Sequence, residues 1–256
     1  MHDITVVILT KNEEEHIVDV IKNALKLTDQ ILVVDSESTD RTIRLIKNNK
    51  VNVVCRSWSN DFSAQRNYAL KYVNTEWVLY LDADERMSDV LIQSIKQVIK
   101  GKHAIYSNER RNYAFGRSFK YGVLGYDSVI RLFPKTKGYW EGKVHEKIIS
   151  DLPLKKLSGY IEHYTYRDLD EYILKMNIYS TLGAIKNYES GKKVICLRDF
   201  VLRPIFAFMK MYILKKGFLE GWIGFVLCLN YSNYTLNKYV KLLLLEIHKG
   251  NFNSDK

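Results

Sequence analysis

The feature of this sequence that most constrains its fold is a repeated alternation of short apolar runs with amphipathic segments across residues 4–99. The apolar runs are rich in β-branched residues and predict strands at 4–9, 30–34, 51–55 and 77–81. Apolar residues that recur every three or four positions predict a helix opening at 11–14 and further helices at 40–47, 63–72 and 88–99. A strand and helix order of this kind predicts an α/β fold, with a mostly parallel sheet covered by helices on both faces.

The pattern changes after His103. Shorter strand-like runs separated by glycines predict a small antiparallel addition at 104–107, 129–133 and 157–164. The helical period then returns and predicts long helices at 169–188, 204–215 and 219–248. We therefore expect an α/β domain at 1–165 and a helical C-terminal extension at 166–256.

Cysteine usage and the N-terminus bear on the cellular compartment. The three cysteines, Cys55, Cys196 and Cys228, are widely spaced, and none stands in a zinc-binding pattern. Met1 is followed almost at once by an apolar strand, without the basic segment and hydrophobic stretch of a secretory signal. We expect a cytoplasmic protein with reduced thiols.

The net charge of +10 is concentrated near the C-terminus, where residues 192–256 hold eleven Lys or Arg against four Asp or Glu. Apolar and aromatic residues lie between these charges, which favours anionic lipid over nucleic acid. The longest uncharged window, 221–237, contains Asn, Ser, Thr and Gly and is too short and polar to span a bilayer. Interfacial amphipathic helices are expected, and a helical cap at a dimer contact is the alternative.

Acidic and polar residues follow the predicted strands, where ligands bind in parallel α/β sheets. Strand alternation would place Asp82 and Asp84 on one side, and two such carboxylates suit Mg²⁺ or Mn²⁺. The alternative is that these acids favour the N-terminus of the next helix. Glu85 is expected to cap that helix at Ser88.

Two neighbouring loops contribute further candidates. Asp35 ends the second strand and could accept a hydrogen bond from a base or a ribose, whereas Asp40 is better placed to cap the next helix. Arg66 lies in the first turns of a helix at the same edge of the sheet, and its alternative is a solvated surface arginine.

Five short motifs carry a resemblance to a known family, in that family's order. They are VILTKNEE at 7–14, VDSESTD at 34–40, SAQRN at 63–67, LDADE at 81–85 and GKVHE at 142–146. The chain resembles the family-2 glycosyltransferases of GT-A fold, which have a Rossmann-like, mostly parallel sheet. It is most similar to the subgroup that adds glucose to the inner core of bacterial lipooligosaccharide.

The resemblance implies a uridine-diphosphate sugar lying across the strand ends. The residues that would bind this donor are Thr10, Asn12, Glu14, Asp35, Arg66 and Asp82. The first three would line the nucleotide, the next two would contact its base, and the last would approach the ribose or the sugar. Asp84 would hold Mg²⁺ or Mn²⁺ on the diphosphate, where the metal assists departure of the nucleotide.

An inverting transfer needs a general base that takes the proton from the acceptor hydroxyl. The family's pattern favours Glu146, with Glu141 as a rival and His145 as an orienting or metal-proximal neighbour. A strand histidine packed against Trp140 is the alternative for His145.

The sequence therefore predicts a hexosyltransferase, peripheral on the inner face of the cytoplasmic membrane, that glucosylates a glycolipid or oligosaccharide acceptor such as a heptose of lipooligosaccharide. One alternative is an inert carbohydrate- or membrane-binding protein on the same fold. Another is a nucleotidyltransferase, but these enzymes commonly have a Gly-rich phosphate loop after the first strand, and the first strand here is followed by residues 10–14, Thr-Lys-Asn-Glu-Glu.

Overall fold

The computed structural model describes residues 4–47, 51–59, 61–142 and 146–251, and the chain divides into two compact units. Unit 1 comprises Met1–Arg111 and Asp127–Tyr164, and unit 2 comprises Asn112–Tyr126 and Thr165–Lys256. The short segment before Asp127 thus belongs with the C-terminal residues. The domain boundary at 165 stays a prediction of the sequence.

Unit 1 begins with the predicted alternation of strands and helices. The strands are β1 (Ile4–Thr10), β2 (Ile31–Asp35), β3 (Asn52–Cys55) and β4 (Trp77–Asp82). The helices are α1 (Ile17–Leu25), α2 (Thr42–Lys47), α3 (Phe62–Leu70) and, after a short strand β5 (Glu85–Met87), α4 (Asp89–Val98). The strand pairs β3–β2, β2–β1 and β1–β4 are all parallel.

Four further strands extend this sheet as the predicted antiparallel addition. They are β6 (Ile105–Ala114), β7 (Arg117–Phe119), β8 (Asp127–Pro134) and β11 (Leu154–Tyr166). The sheet order among the described residues is β3-β2-β1-β4-β8-β6-β11-β5, with β7 paired to the end of β6. A separate two-stranded sheet joins β9 (Tyr139–Glu141) to β10 (Lys147–Ile149). The predicted α/β fold class is confirmed.

Alternate residues of the parallel strands pack into two hydrophobic layers, as the period-2 geometry of a strand requires. On one face, strand residues such as Ile8, Val33 and Leu79 pack with α1, α2 and α4. On the other face, Val7 and Val34 pack with α3 and with the small sheet. Each fully buried aliphatic side chain contributes about 1.5–3 kcal/mol, so both layers hold the strand ends in place.

The helix predicted to open at 11–14 begins later, at Ile17. The backbone N–H groups of the preceding residues donate instead to side chains of the β2–α2 loop: Asn12 to Ser38 Oγ at 2.9 Å, Glu13 to Thr42 Oγ1 at 2.8 Å and Glu14 to Asp40 Oδ2 at 3.1 Å. The early start is therefore wrong. Asp40 also accepts the N–H of Thr42 at 2.9 Å, which confirms that it caps α2.

Gly159 offers a test of the close packing between β11 and α4. Its φ is +89°, and a Cβ there would lie 2.4 Å from the backbone nitrogen of Leu91. Gly159→Ala should lower the free energy of unfolding by about 2–4 kcal/mol, because both backbone strain and overpacking oppose it. Urea unfolding followed by tryptophan fluorescence measures this. Gly101→Ala is the control, since its nearest contact is 3.4 Å, and an equal loss in both variants would contradict the packing.

Unit 2 contains α5 (Leu169–Glu189), α6 (Arg203–Met209) and α7 (Gly221–Asn251), with wider helical turns at 197–202 and 210–214 on either side of α6. Buried residues Phe119, Leu124, Tyr172 and Leu227 form its core. The carboxylate of Glu220 accepts the N–H groups of Lys120 at 2.8 Å and Tyr121 at 3.0 Å and pairs with Arg117. Within the described residues, no helix is both long enough and apolar enough to cross a bilayer.

Candidate active site

The loops that follow β1 and β2 are fastened to each other by side chains. Asn12 Oδ1 accepts the N–H of Thr39 at 2.8 Å, and Asn12 itself has a φ of 55°. Glu14 Oε2 accepts the N–H of Arg41 at 2.9 Å and pairs with its Nε at 3.2 Å. The hydrogen bonds from the Arg41 side chain and backbone hold the pKa of Glu14 below its ordinary value. Asn12 and Glu14, two of the three residues predicted to line the nucleotide, therefore brace the loops at the end of the sheet.

Asp35 and Thr10 lie side by side at the ends of the paired strands β2 and β1. Asp35 is 1% exposed, and its carboxylate accepts from Ser38, at 2.5 Å from Oγ and 2.9 Å from N–H. Gln65 of α3 donates to Ser36 Oγ at 2.9 Å, so a third element joins this edge. Thr10 Oγ1 is buried and has no hydrogen-bond partner within the described part of the chain.

Arg66 connects two of the predicted site residues. Its Nη2 lies 3.0 Å from Asp82 Oδ1, and its Nε lies 3.1 Å from Glu146 Oε1. The guanidinium packs on the rings of Tyr80 at 5.6 Å and Trp140 at 4.7 Å, and the side chain is only 3% exposed. The alternative of a solvated surface arginine is wrong. Its Nη1 is buried without a partner among residues 4–47, 51–59, 61–142 and 146–251.

A second buried arginine holds the other oxygen of the same aspartate. Arg131 Nη2 lies 2.6 Å from Asp82 Oδ2 and 2.6 Å from Glu85 Oε1. Glu85 also contacts Asp82 directly, because its Oε2 accepts the backbone N–H of Asp82 at 3.0 Å. Arg110 Nη1 also approaches Glu85, at 3.4 Å. The carboxylate of Asp82 is thus fixed by arginines from α3 and β8, and its backbone N–H is held by Glu85 of β5.

The expectation that Glu85 caps α4 is wrong. Glu85 is fully buried at the start of β5 and is paired with arginine. Ser88 caps the helix itself, through its side-chain oxygen and the N–H of Leu91 at 3.3 Å. A carboxylate this deeply buried needs cationic partners, and Arg131 supplies one.

The charges around Asp82 determine its protonation. Burial raises the pKa of this carboxyl, but the positive charges of Arg131 and Arg66 outweigh burial and hold its pKa far below the ordinary value. Burial lowers the pKa of Arg131, but the charges of Asp82 and Glu85 outweigh burial and raise it above the ordinary value. Asp82 therefore stays ionised throughout the physiological range, and it presents a fixed negative charge at the end of β4.

Asp84 lies in the turn between β4, which ends at Asp82, and β5. The prediction that strand alternation places Asp82 and Asp84 on one side is therefore wrong, because Asp84 is not part of a strand. Asp84 Oδ2 is 3.3 Å from His163 Nε2, and the Asp84 side chain is 24% exposed. Burial lowers the pKa of His163, but the hydrogen bond to Asp84 and the charges of Asp84 and Glu85 raise it above the ordinary value.

The groups near Asp84 fit a metal that draws most of its ligands from a substrate. In the described ranges, no three His, Cys, Asp or Glu side chains are grouped as a ready metal cage. Mg²⁺ is commonly held by one or two carboxylates together with phosphate and water, so a half-buried carboxylate such as Asp84 is a suitable protein ligand. A metal at Asp84 remains a prediction.

The hairpin that carries the predicted general base is attached to α3. Asn67 of this helix pairs with both backbone groups of Trp140, accepting its N–H at 2.9 Å and donating to its carbonyl at 2.7 Å. Glu146 precedes β10, and its side chain is 17% exposed. Arg66 contacts both Glu146 and Asp82, and so bridges the two carboxylates.

The other two candidates on this hairpin are placed differently. Glu141 ends β9 opposite Lys147, and it is exposed. His145 lies outside the described residues, so its orienting role and its alternative of packing on Trp140 both stay predictions. The arrangement distinguishes Glu146, which is joined to the strand ends, from Glu141.

Arg131 and His163 were not among the sequence candidates. Arg131 interrupts an apolar run, Val-Ile-Arg-Leu-Phe at 129–133, and an arginine in a buried strand is a sign of paired carboxylates. His163 stands at the end of the strand-like run 157–164, where no local pattern marks it.

The chain is similar to known proteins over most of its length. Residues 5–169, more than half of the chain, match the family described as "Glycosyl transferase family 2". An uncharacterized glycosyltransferase of Rickettsia typhi is 25% identical, over 98% of this chain and 90% of that protein. The lipopolysaccharide core biosynthesis glycosyltransferase LpsC of Rhizobium meliloti is 28% identical over 86% of each chain. The crystal structure of S. aureus TarS 1-349 in complex with UDP-GlcNAc has a TM-score of 0.46 at 14% identity and covers 96% of this chain and 92% of that one.

Proposed function

The chain belongs to glycosyltransferase family 2, and from that premise we propose that it moves a hexose, with inversion, from a uridine-diphosphate sugar to a lipid-linked saccharide. The observation that carries the proposal is the double contact of Arg66 with Asp82 and Glu146. It joins the carboxylate expected on the donor side to the carboxylate expected on the acceptor side. Such proximity is what direct transfer between two bound substrates requires.

Unsatisfied polar atoms support a donor site at the strand ends. Thr10 Oγ1 and Arg66 Nη1 are both buried and lack partners in the described part of the chain. A buried hydrogen-bond donor left unpaired costs about 1–3 kcal/mol, and a hydrogen bond to a ligand oxygen would remove this cost. Both residues belong to the set proposed to bind the nucleotide, together with Asn12, Glu14 and Asp35, which lie in or beside the braced loops. Asp82 would then meet the ribose or the sugar.

We place Mg²⁺ or Mn²⁺ at Asp84, with His163 beside it. When bound, the metal would neutralise charge on the diphosphate leaving group. The fixed charge of Asp82 would act next to this position, because its carboxylate is held by two arginines and cannot turn away. Preorganised charge of this kind contributes without reorganisation during the reaction.

On the acceptor side, Glu146 takes the proton from the attacking hydroxyl as the bond to the anomeric carbon forms and the bond to the diphosphate breaks. The contact with Arg66 Nε orients one oxygen of Glu146, and the other has no partner among the described residues. His145 is proposed as an orienting neighbour. Glu141 remains the rival base.

The acceptor is proposed as the inner core of a lipooligosaccharide, with glucose as the hexose and a heptose as the receiving sugar. The named function of LpsC in lipopolysaccharide core biosynthesis supports this choice of acceptor. The reaction would then take place at the inner face of the cytoplasmic membrane, with the enzyme peripheral to it.

Mass spectrometry of the acceptor after incubation with single uridine-diphosphate sugars and Mn²⁺ tests the function. We expect deacylated lipooligosaccharide to gain one hexose from UDP-glucose and much less from UDP-N-acetylglucosamine. Gain of an N-acetylhexosamine instead would correct the donor. No gain from any donor across several core acceptors, with folded protein, would favour an inert binding protein on this fold.

A further inference from the structure

Unit 2 exposes a large apolar surface between residues 192 and 222, called here the basic apolar face. Twelve large hydrophobic side chains in this segment are at least 44% exposed, and the most exposed are Leu197 at 67%, Phe206 at 63%, Leu214 at 70% and Trp222 at 83%. Contiguous apolar patches beyond roughly a few hundred Å² are uncommon on soluble monomers and mark interaction sites. A tryptophan this exposed is also unusual, since burial of its ring is strongly favourable.

The helical part of this face has a buried inner side and an exposed outer side. Residues at 199–200, 203–204, 207–208 and 211–212 are buried or half-buried, and those at 201–202, 205–206, 209–210 and 213–214 are exposed. The inner side packs on α7: Phe208 and Tyr212 each contact Phe225 at 5.7 Å between ring centroids. Of the eight outer residues only Lys210 is polar. The outer side is thus a second apolar surface, which the fold of unit 2 itself does not cover.

The exposed charges of residues 192–222 are all positive. It holds seven Lys or Arg and only two acids, Asp199 and Glu220. Both acids are buried: Asp199 is paired with Arg198 and Arg203, and Glu220 with Arg117. The exposed basic residues are Lys193, Lys210, Lys215 and Lys216. An apolar surface bordered only by positive charge therefore faces the solvent.

We propose that the basic apolar face binds the surface of an anionic lipid bilayer, with Phe206, Leu214 and Trp222 inserted among the head groups. Interfacial helices combine apolar and aromatic side chains with lysines that meet anionic lipid, and tryptophan is favoured at that depth. This inference uses only unit 2 and does not depend on the donor or the acceptor proposed above.

Charge argues against a second copy of the chain as the occupant. A two-fold symmetric contact places the same patch on both partners, so Lys210, Lys215 and Lys216 of one copy would face an equally basic patch on the other. Like charges brought together at an interface disfavour the contact. A bilayer containing anionic lipid satisfies both the apolar residues and the lysines.

Co-sedimentation of the full chain with vesicles tests the proposal. We expect binding to vesicles of phosphatidylcholine mixed with phosphatidylglycerol, and little binding to phosphatidylcholine alone. Replacing Lys215 and Lys216 together with glutamine should weaken binding about 25-fold, because each lysine near an anionic surface contributes about fivefold. Added salt should weaken the wild type more than this variant.

Apolar insertion is tested with a matched pair of double variants. Phe206→Ser with Leu214→Ser should reduce vesicle binding at least about tenfold. Leu174→Ser with Leu182→Ser, which changes side chains of α5 that are 59% and 56% exposed, should leave it unchanged. Equal losses in the two pairs, or equal binding to both vesicle types, would overturn the proposal.

Two readouts separate the remaining outcomes. Light scattering should give the same molar mass for the wild type and the Phe206 and Leu214 variant. A dimeric wild type and a monomeric variant would overturn lipid binding in favour of a second copy. Transfer to a deacylated, soluble acceptor should persist in the variant, so failure of the membrane proposal and failure of the proposed reaction are distinguishable.

Discussion

Glu146→Gln should lower the rate of hexose transfer by about 10²- to 10⁴-fold, because the amide cannot take the proton of the acceptor hydroxyl. The amide oxygen can still accept from Arg66 Nε, as Glu146 Oε1 does at 3.1 Å, so the arrangement around Asp82 should persist. We therefore expect UDP binding within about twofold of the wild type and a loss confined to kcat. Steady-state kinetics with saturating donor, together with calorimetry of UDP binding, measures both.

Glu141→Gln is the matched control for that prediction. Glu141 lies in the same hairpin at the exposed end of β9, and it is the rival base. If Glu146 is the base, Glu141→Gln should transfer at close to the wild-type rate. The reverse pattern, with Glu141→Gln inactive and Glu146→Gln active, would assign the proton transfer to Glu141.

Arg131→Met should lower the free energy of unfolding by about 3 kcal/mol, because it removes the cation that bridges two buried carboxylates. Arg131 is 4% exposed and lies 2.6 Å from both Asp82 and Glu85. Repulsion between the two carboxylates would follow, and Asp82 would no longer be held at both oxygens. We expect kcat/KM for transfer to fall as well, since the charge of Asp82 beside the donor would no longer be fixed in position. Urea unfolding and steady-state kinetics measure the two effects.

Arg110→Met is the control for Arg131→Met. Arg110 is 20% exposed, lies 3.4 Å from Glu85, and pairs mainly with Asp127, which is 45% exposed. Its loss should cost no more than about 1 kcal/mol, as for a partly solvated pair. Arg131→Lys, which keeps the charge, should recover part of the stability. Equal destabilisation by the two methionine variants would show that the bridge at Asp82 is not the stabilising element.

The parallel part of the fold could be predicted from sequence because its signals are local. Each apolar run is β-branched and short, and each is followed by a segment of helical period, so β1 to β4 and their helices follow from neighbouring residues. The same order predicts that Asp35, Arg66 and Asp82 lie at one edge of the sheet, since parallel strands all end on one side. These parts of the site need no knowledge of distant contacts.

The remaining features depend on partners far along the chain. The late start of α1 is caused by acceptors 26 to 29 residues away, which no local period reveals. The segment Asn112–Tyr126 joins unit 2, where Glu220 accepts the N–H of Lys120 across 100 residues. Local sequence predicts Glu85 as a helix cap because its partner, Arg131, stands 46 residues later. Charged residues inside apolar runs were the one local sign of this buried cluster.

The central claim is that the strand ends around Asp82 and Asp84 bind a nucleotide sugar through a metal and transfer its hexose. Acceptor-stimulated release of UDP in the presence of Mn²⁺, compared between the wild type and Asp84→Asn, tests it most directly. Asp89→Asn is the control, because Asp89 is 81% exposed and pairs only with the exposed Lys26 among the described residues. We predict stimulated release by the wild type and by Asp89→Asn, and at least about a 10²-fold loss in Asp84→Asn. Release by Asp84→Asn at the wild-type rate would contradict the account.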